Sequence, residues 1–208
     1  MSKRVGAVSG ETKEAILQAA RNEFSKFGFQ HSSLRRICSE AGVTTGAIYF
    51  FFSGKDELFE TVLSQVTQPF MAYMDQHYTQ ERVLISENLP EKENADFEIS
   101  LTLIDFYFQS RQTWDILLQH QSHPAVQSFL DTFVEKSTDH YLFLVDRVRQ
   151  LHPEREPVDR FSIHQFVHMQ ADTMLNLISH DFSREEMIRH AHTAVVMLRA
   201  AFQAVLSM

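Results

Sequence analysis

Cysteine is almost absent from this chain: Cys38 stands alone in 208 residues. A single thiol excludes an internal disulfide framework and suits a reducing compartment. Glycine and proline are scarce as well, at six and five, too few to punctuate a strand-rich fold with tight turns. No apolar run reaches the ~18 residues that a membrane span needs. The basic opening, Met1-Ser-Lys-Arg4, is followed by no hydrophobic stretch, so no signal peptide is predicted and the expected location is the cytoplasm. Motifs for nucleophilic, phosphate-binding or dinucleotide chemistry are also missing. The expectation is a protein that is not an enzyme and needs no cofactor or metal.

What the chain does contain is phenylalanine, eighteen of them, together with eight methionines. That supply points to a generous, deformable apolar interior. The net charge of −8 is unevenly spread. Residues 1–60 carry eight Lys/Arg against seven Asp/Glu, whereas the remainder carries eleven against twenty. Only the N-terminal part can approach a polyanion without a large repulsive penalty.

Apolar positions recur at spacings of three and four nearly throughout, which predicts an all-α protein. A first helix is expected from near Thr12, burying Ile16, Leu17, Ala20 and Phe24 and stopping at Gly28. Ser32 or Ser33 caps a second, with Leu34, Ile37, Cys38 and Ala41 inward, and Gly42 breaks it. Val43 is read as a buried anchor in the turn. Thr44 or Thr45 caps a short third helix through about Phe51, and Lys55 opens a longer one that Pro69 kinks or divides. Residues 86–98, polar and acidic with Pro90, are expected to be a surface loop. Helical patterns resume at about 98–120, 124–151 and 160–180, and the last begins at Ser183, where Ser183-Arg-Glu-Glu186 reads as a capping box.

Two short helices joined at Gly42 fit the requirements of major-groove reading, in which one helix braces and the next presents its N-terminal residues to base edges. The same pattern fits a helical hairpin in a core. The specific string decides between them. Ile16-Leu17-x-Ala19-Ala20-x3-Phe24-x3-Gly28-Phe29 is followed by Ser32-Ser33-Leu34-x2-Ile37. Then come Ala41-Gly42-Val43-x2-Gly46-x-Ile48-Tyr49-x2-Phe52 and Lys55-Asp56-Glu57-Leu58. Residues 12–59 closely resemble the N-terminal domain of TetR-family repressors. The resemblance implies a three-helix DNA-binding domain, residues 1–57, and a larger helical domain for ligand binding and dimerisation, residues 58–208. It implies that Thr44, Thr45, Gly46 and Ala47 read the groove and that Tyr49 and Lys55 contact phosphates. Ser33 and Arg35 are further phosphate candidates, and Arg36 is read as pointing to water. Where family members often carry His or Tyr, this chain has Phe51, which cannot donate to a phosphate. Phe50 lies either against a sugar or thymine methyl, or between domains.

The resemblance further implies an internal cavity for a small effector in the second half. Candidate lining residues are Phe106, Tyr107, Trp114, Phe129, Phe133, Phe166, Met169 and Met174, which suit a hydrophobic molecule. By default each is core, and Trp114 is either a pocket wall or a packing anchor. The stripe Ile188, Ala191, Val195, Leu198, Ala201, Phe202 and Val205 is an internal face or, by resemblance, part of a four-helix homodimer interface. The whole reads as a ligand-responsive homodimeric repressor, released from a palindromic operator by its effector. The alternative is a helical metal-binding protein or enzyme: His164, His168 and Asp172 share one helical face at metal-compatible spacing. His120-Gln-Ser-His123 offers a weaker version of the same pattern.

Overall fold

The computed structural model describes residues 2–87 and 95–207, with only the backbone described for residues 2–9. Among the described residues every regular element is an α-helix: α1 (Ser2–His31), α2 (Leu34–Ala41), α3 (Thr45–Phe51), α4 (Lys55–Ser86), α5 (Ala95–Gln109), α6 (Arg111–Gln119), α7 (Pro124–Leu151), α8 (Arg160–Ile178) and α9 (Arg184–Leu206). No helix among them is long and apolar enough to cross a membrane.

The expected pattern changes in four places. Helix α1 begins at Ser2 rather than near Thr12. Helix α4 runs through Pro69 without ending. One expected helix over 98–120 is two, α5 and α6, interrupted at Ser110. Of the expected loop 86–98, Ser86 closes α4 and residues 95–98 open α5, while 88–94 lie outside the described residues. The last helix starts as read: the Ser183 hydroxyl accepts from the Glu186 backbone N–H, and Glu186 returns a bond to the Ser183 N–H at 2.9 Å. Helix α8 is capped in the same spirit by Asp159, which accepts from the Ser162 N–H at 3.0 Å.

The chain divides into two compact units. The first joins residues 1–68 with 110–126, so that α6 folds with α1–α3 and the start of α4. The expected 57/58 domain boundary falls inside the continuous α4. The core of this unit is Ile16, Leu17, Ala20, Phe24, Ile37, Ile48, Phe52, Leu58, Phe59 and Val62, closed by Ile116 and Leu117 of α6. Phe24 meets Phe59 edge-on at 5.0 Å and Phe29 lies 4.9 Å from the same ring. Each such aromatic pair adds to the burial of its apolar area.

The second unit holds residues 69–109 and 127–208. Phe70, Met74, Ile104, Tyr107, Phe133, Val134, Ile163, Phe166, Val167 and Met187 are buried within it. Helix α9 packs against α5 and α8. Two members of the α9 stripe serve this internal face, Ala191, which is buried, and Phe202, which packs on Tyr141 and Phe166 at 4.9 and 5.3 Å, while Ile188, Val195, Leu198, Ala201 and Val205 are half-buried. On α8 and α9 the exposed large apolar side chains are different ones, Phe161 and Met169 on α8 and Val196 and Met197 on α9.

Candidate nucleic-acid interface

Helix α2 ends at Gly42, whose φ of 66° and ψ of 30° is the left-handed conformation that favours glycine. The Val43 N–H then donates to the Cys38 carbonyl at 3.0 Å, closing the turn. Val43 itself is half-buried rather than a fully buried anchor. Thr44 caps α3, its hydroxyl accepting from the Ala47 N–H at 3.3 Å. Ile48 and Phe52 face fully inward. That seating leaves Thr44, Thr45 and Gly46 exposed, with Ala47 half-buried. Tyr49 is 57% and Phe50 77% exposed, the latter touching Phe51 edge-on at 4.9 Å.

Helix α2 is held from outside itself. Its N-cap, Ser33, makes no side-chain cap bond. Glu23 of α1 takes that role: its carboxylate accepts from the Ser33 N–H at 2.7 Å and from the Arg36 Nε at 2.8 Å. Arg36 also donates to the His31 carbonyl at 2.7 Å, and its guanidinium lies 4.3 Å from the Phe27 ring centroid. Its head is therefore engaged by protein while the side chain stays 49% exposed to water. Arg35 is exposed and Ser33 half-buried. Glu23, only 3% exposed, went unnoticed in the sequence. The available signal was its position beside Phe24 on the buried stripe of α1, where an acid needs partners.

Lys55 is half-buried, and its ammonium donates to the Phe29 carbonyl at 2.7 Å, 4.5 Å from the Phe29 ring centroid. The lysine thus anchors the end of α1 as well as standing at the start of α4. Gly28 provides the bend there, with φ 69° and ψ 169°. Immediately after it, the Phe29 N–H donates to His120 Nε2 at 2.8 Å. The other ring nitrogen of His120 lies 2.7 Å from the Ile116 carbonyl. A carbonyl only accepts and an N–H only donates, so the imidazole is the neutral Nδ1–H tautomer. His123 packs edge-on to Phe29 at 4.7 Å. These two histidines tie α6 and the α6–α7 turn to the end of α1.

The candidate ligand-lining residues separate. Trp114 is buried in the first unit, while the other seven belong to the second. Phe129 and Phe133 flank Phe70 at 5.8 and 5.7 Å, Phe106 faces Tyr73 at 5.6 Å, and Phe166 joins Tyr141 and Phe202. Tyr107 is buried, Met174 half-buried and Met169 exposed. His164 and His168 approach with their Nε2 atoms 3.1 Å apart. Among the described residues no group of three or more His, Cys, Asp and Glu is placed to hold a metal ion, so Asp172 completes no site there.

This geometry defines the class: an all-α protein with an N-terminal helix-turn-helix domain. Residues 16–62 match the family described as bacterial regulatory proteins, tetR family, and this N-terminal domain belongs to it. The HTH-type transcriptional repressor BepR of Brucella suis is 42% identical over 67 residues, 32% of each chain. RutR of Escherichia coli K12, an HTH-type transcriptional regulator, is 40% identical over 70 residues, 34% of this chain and 32% of its own length. The matched region thus spans about a third of these relatives. Across the whole fold, SmeT, the repressor of the Stenotrophomonas maltophilia multidrug efflux pump SmeDEF, aligns with a TM-score of 0.64 at 22% identity. That alignment covers 92% of this chain and 91% of that one. NalD of Pseudomonas aeruginosa aligns with a TM-score of 0.63 at 21% identity, over 91% and 96%.

Proposed function

We propose that the chain is a transcriptional repressor that binds a palindromic operator as a homodimer in the cytoplasm and is released by a small, largely apolar effector. The observation that carries this reading is the surface of α3: Ile48 and Phe52 anchor it, and the hydroxyl, small and aromatic side chains point outward. On this reading Thr44, Thr45, Gly46 and Ala47 approach base edges, where Thr and Ala methyls suit a thymine methyl. Tyr49 and Lys55 contact phosphates, with Ser33 and Arg35 beside them. Phe50, projecting from the same helix, lies against sugar or a thymine methyl.

A homodimer supplies two reading heads for two half-sites. The exposed apolar side chains on α8 and α9, Phe161, Met169, Val196 and Met197, support that assembly together with the half-buried members of the α9 stripe. The effector acts by favouring one of two conformations, one that binds DNA less well. Its candidate contacts are Phe106, Tyr107, Phe129, Phe133, Phe166, Met169 and Met174. Trp114 is kept as a packing anchor beside α1, and no catalytic role is assigned to any residue. The reading is tested by fluorescence anisotropy with DNA from upstream of the chain's own gene at low salt. Saturable binding by a dimer is expected. Binding no tighter than to shuffled DNA of the same length refutes the reading.

A further inference from the structure

Helix α3 carries one large side chain that its own packing does not use. Phe50 is 77% exposed, the most of any large apolar side chain among the described residues. At about 100° of turn per residue it stands about 160–200° around the helix from Ile48 and Phe52, the pair that seats α3 in the core. It therefore points directly away from that core. Phe51, half-buried beside it, meets the Phe50 ring edge-on at 4.9 Å and supports it from one side.

The surface in front of this ring is open. Gly46 precedes Phe50 by four residues and shares its face of the helix. A Cβ added at Gly46 would meet only the Thr44 hydroxyl, at 3.8 Å. Helical side chains lean toward the N-terminus, which carries the Phe50 ring toward Gly46 and the base-reading end of α3. Tyr49, about 100° to one side of Phe50, turns toward the wall of a groove, where phosphates lie. Phe50 faces the floor, and its side chain has no hydrogen-bonding atom. The apolar feature that base edges present on the floor of the major groove is the C5-methyl group of thymine. Cytosine lacks that methyl, and 5-methylcytosine carries it at the same ring position.

We infer that Phe50 reads the 5-methyl group of one pyrimidine in each operator half-site, a thymine or a 5-methylcytosine in the same place. The inference rests on the repressor reading above and names the chemical group of the operator that this side chain recognises. A hydrogen-bonding side chain separates base pairs by their donors and acceptors. Phe50 responds to the methyl alone, so it accepts T·A and methylated C·G alike and disfavours unmethylated C·G. A ring lying against sugar instead makes no such distinction, because the sugar is the same whichever base it carries.

The test begins with duplexes that the full chain enriches from a random pool. Each thymine is replaced in turn by uracil, which removes one methyl group and no hydrogen-bonding atom. One position per half-site is expected to lose about fourfold in affinity by fluorescence anisotropy, the scale of one buried methyl group. At that position 5-methylcytosine paired with guanine is expected to bind about fourfold more tightly than unmethylated cytosine. Phe50→Ala, its fold checked by circular dichroism, is expected to lose both differences; titration at low salt keeps its weaker binding measurable. Uracil tolerated at every position, a penalty that persists in Phe50→Ala, or equal binding of cytosine with and without its methyl overturns the inference. A pool that yields no enriched sequence removes the repressor reading and this inference with it. An enriched operator indifferent to uracil removes only this inference.

Discussion

Replacing Gly28 by alanine tests how the end of α1 is built. With φ 69° and ψ 169°, Gly28 occupies a backbone region essentially closed to side-chain-bearing residues, at a cost of about 1–3 kcal/mol. An added Cβ also meets His120 Nε2 at 3.3 Å, so the ring must shift. That shift weakens the 2.8 Å bond from the Phe29 N–H, worth about 1 kcal/mol. Alanine stiffens the unfolded chain and returns about 0.4–1 kcal/mol. The expected net loss is about 1–3.5 kcal/mol, a large share of a typical domain's stability. Trp114, the only tryptophan, is buried in the same unit, so its fluorescence during urea unfolding reports on this region. Gly42 is the internal comparison: it is left-handed with φ 66°, and an added Cβ meets nothing within 4 Å. Asparagine tolerates that conformation, so Gly42→Asn is expected to be mild and Gly28→Asn as damaging as Gly28→Ala. A Gly28→Ala midpoint within about 0.5 kcal/mol of the parent, the margin of an ordinary surface change, refutes the reasoning.

Lys55→Met separates two roles: loss of a phosphate contact lowers the salt slope of operator binding by about one, while loss of the bond to Phe29 lowers only stability. Anisotropy titrations across salt, paired with urea unfolding, decide which holds. Tyr49→Phe is expected to weaken binding to all sequences alike by several-fold, whereas Thr45→Ala changes sequence preference; equal effects on every base substitution in both variants contradict the assignment. Glu23→Ala removes the acceptor for the Ser33 N–H and is expected to cost about 1–3 kcal/mol, read by Trp114 fluorescence. For acid sensitivity, burial lowers the folded-state pKa of His77, outweighing the attraction of Glu81, and burial likewise lowers that of His123. Below their ordinary value of 6.5 the unfolded chain binds more protons, so stability is full above that pH and declines as pH falls beneath it. Urea midpoints measured between pH 7 and 5 check the sign, and His77→Gln with His123→Gln should flatten the curve.

The helix-turn-helix was legible without coordinates because its determinants are local. Spacing set which faces of α1–α3 are apolar, and Gly42 and Thr44 mark the turn and the cap by their own chemistry. The capping box at Ser183 was visible for the same reason, since both partners lie within one turn. Tertiary structure decided what depends on contacts distant in sequence. Glu23 caps a helix ten residues away, and His120 reaches Phe29 across ninety-one. Neither pairing leaves a periodic trace. Proline at position 69 suggested a kink or a division, and the helix is not divided there, whereas Ser110 makes a break that periodicity did not announce. The α9 stripe was correctly apolar, but an apolar face does not say whether its cover comes from its own chain. Phe202 against Tyr141 and Phe166 answers that for one member, while Val196 and Met197 face outward. In the same way, composition predicted an apolar interior for the second unit. Only the folded arrangement brought Phe166 and Phe202 together around Tyr141.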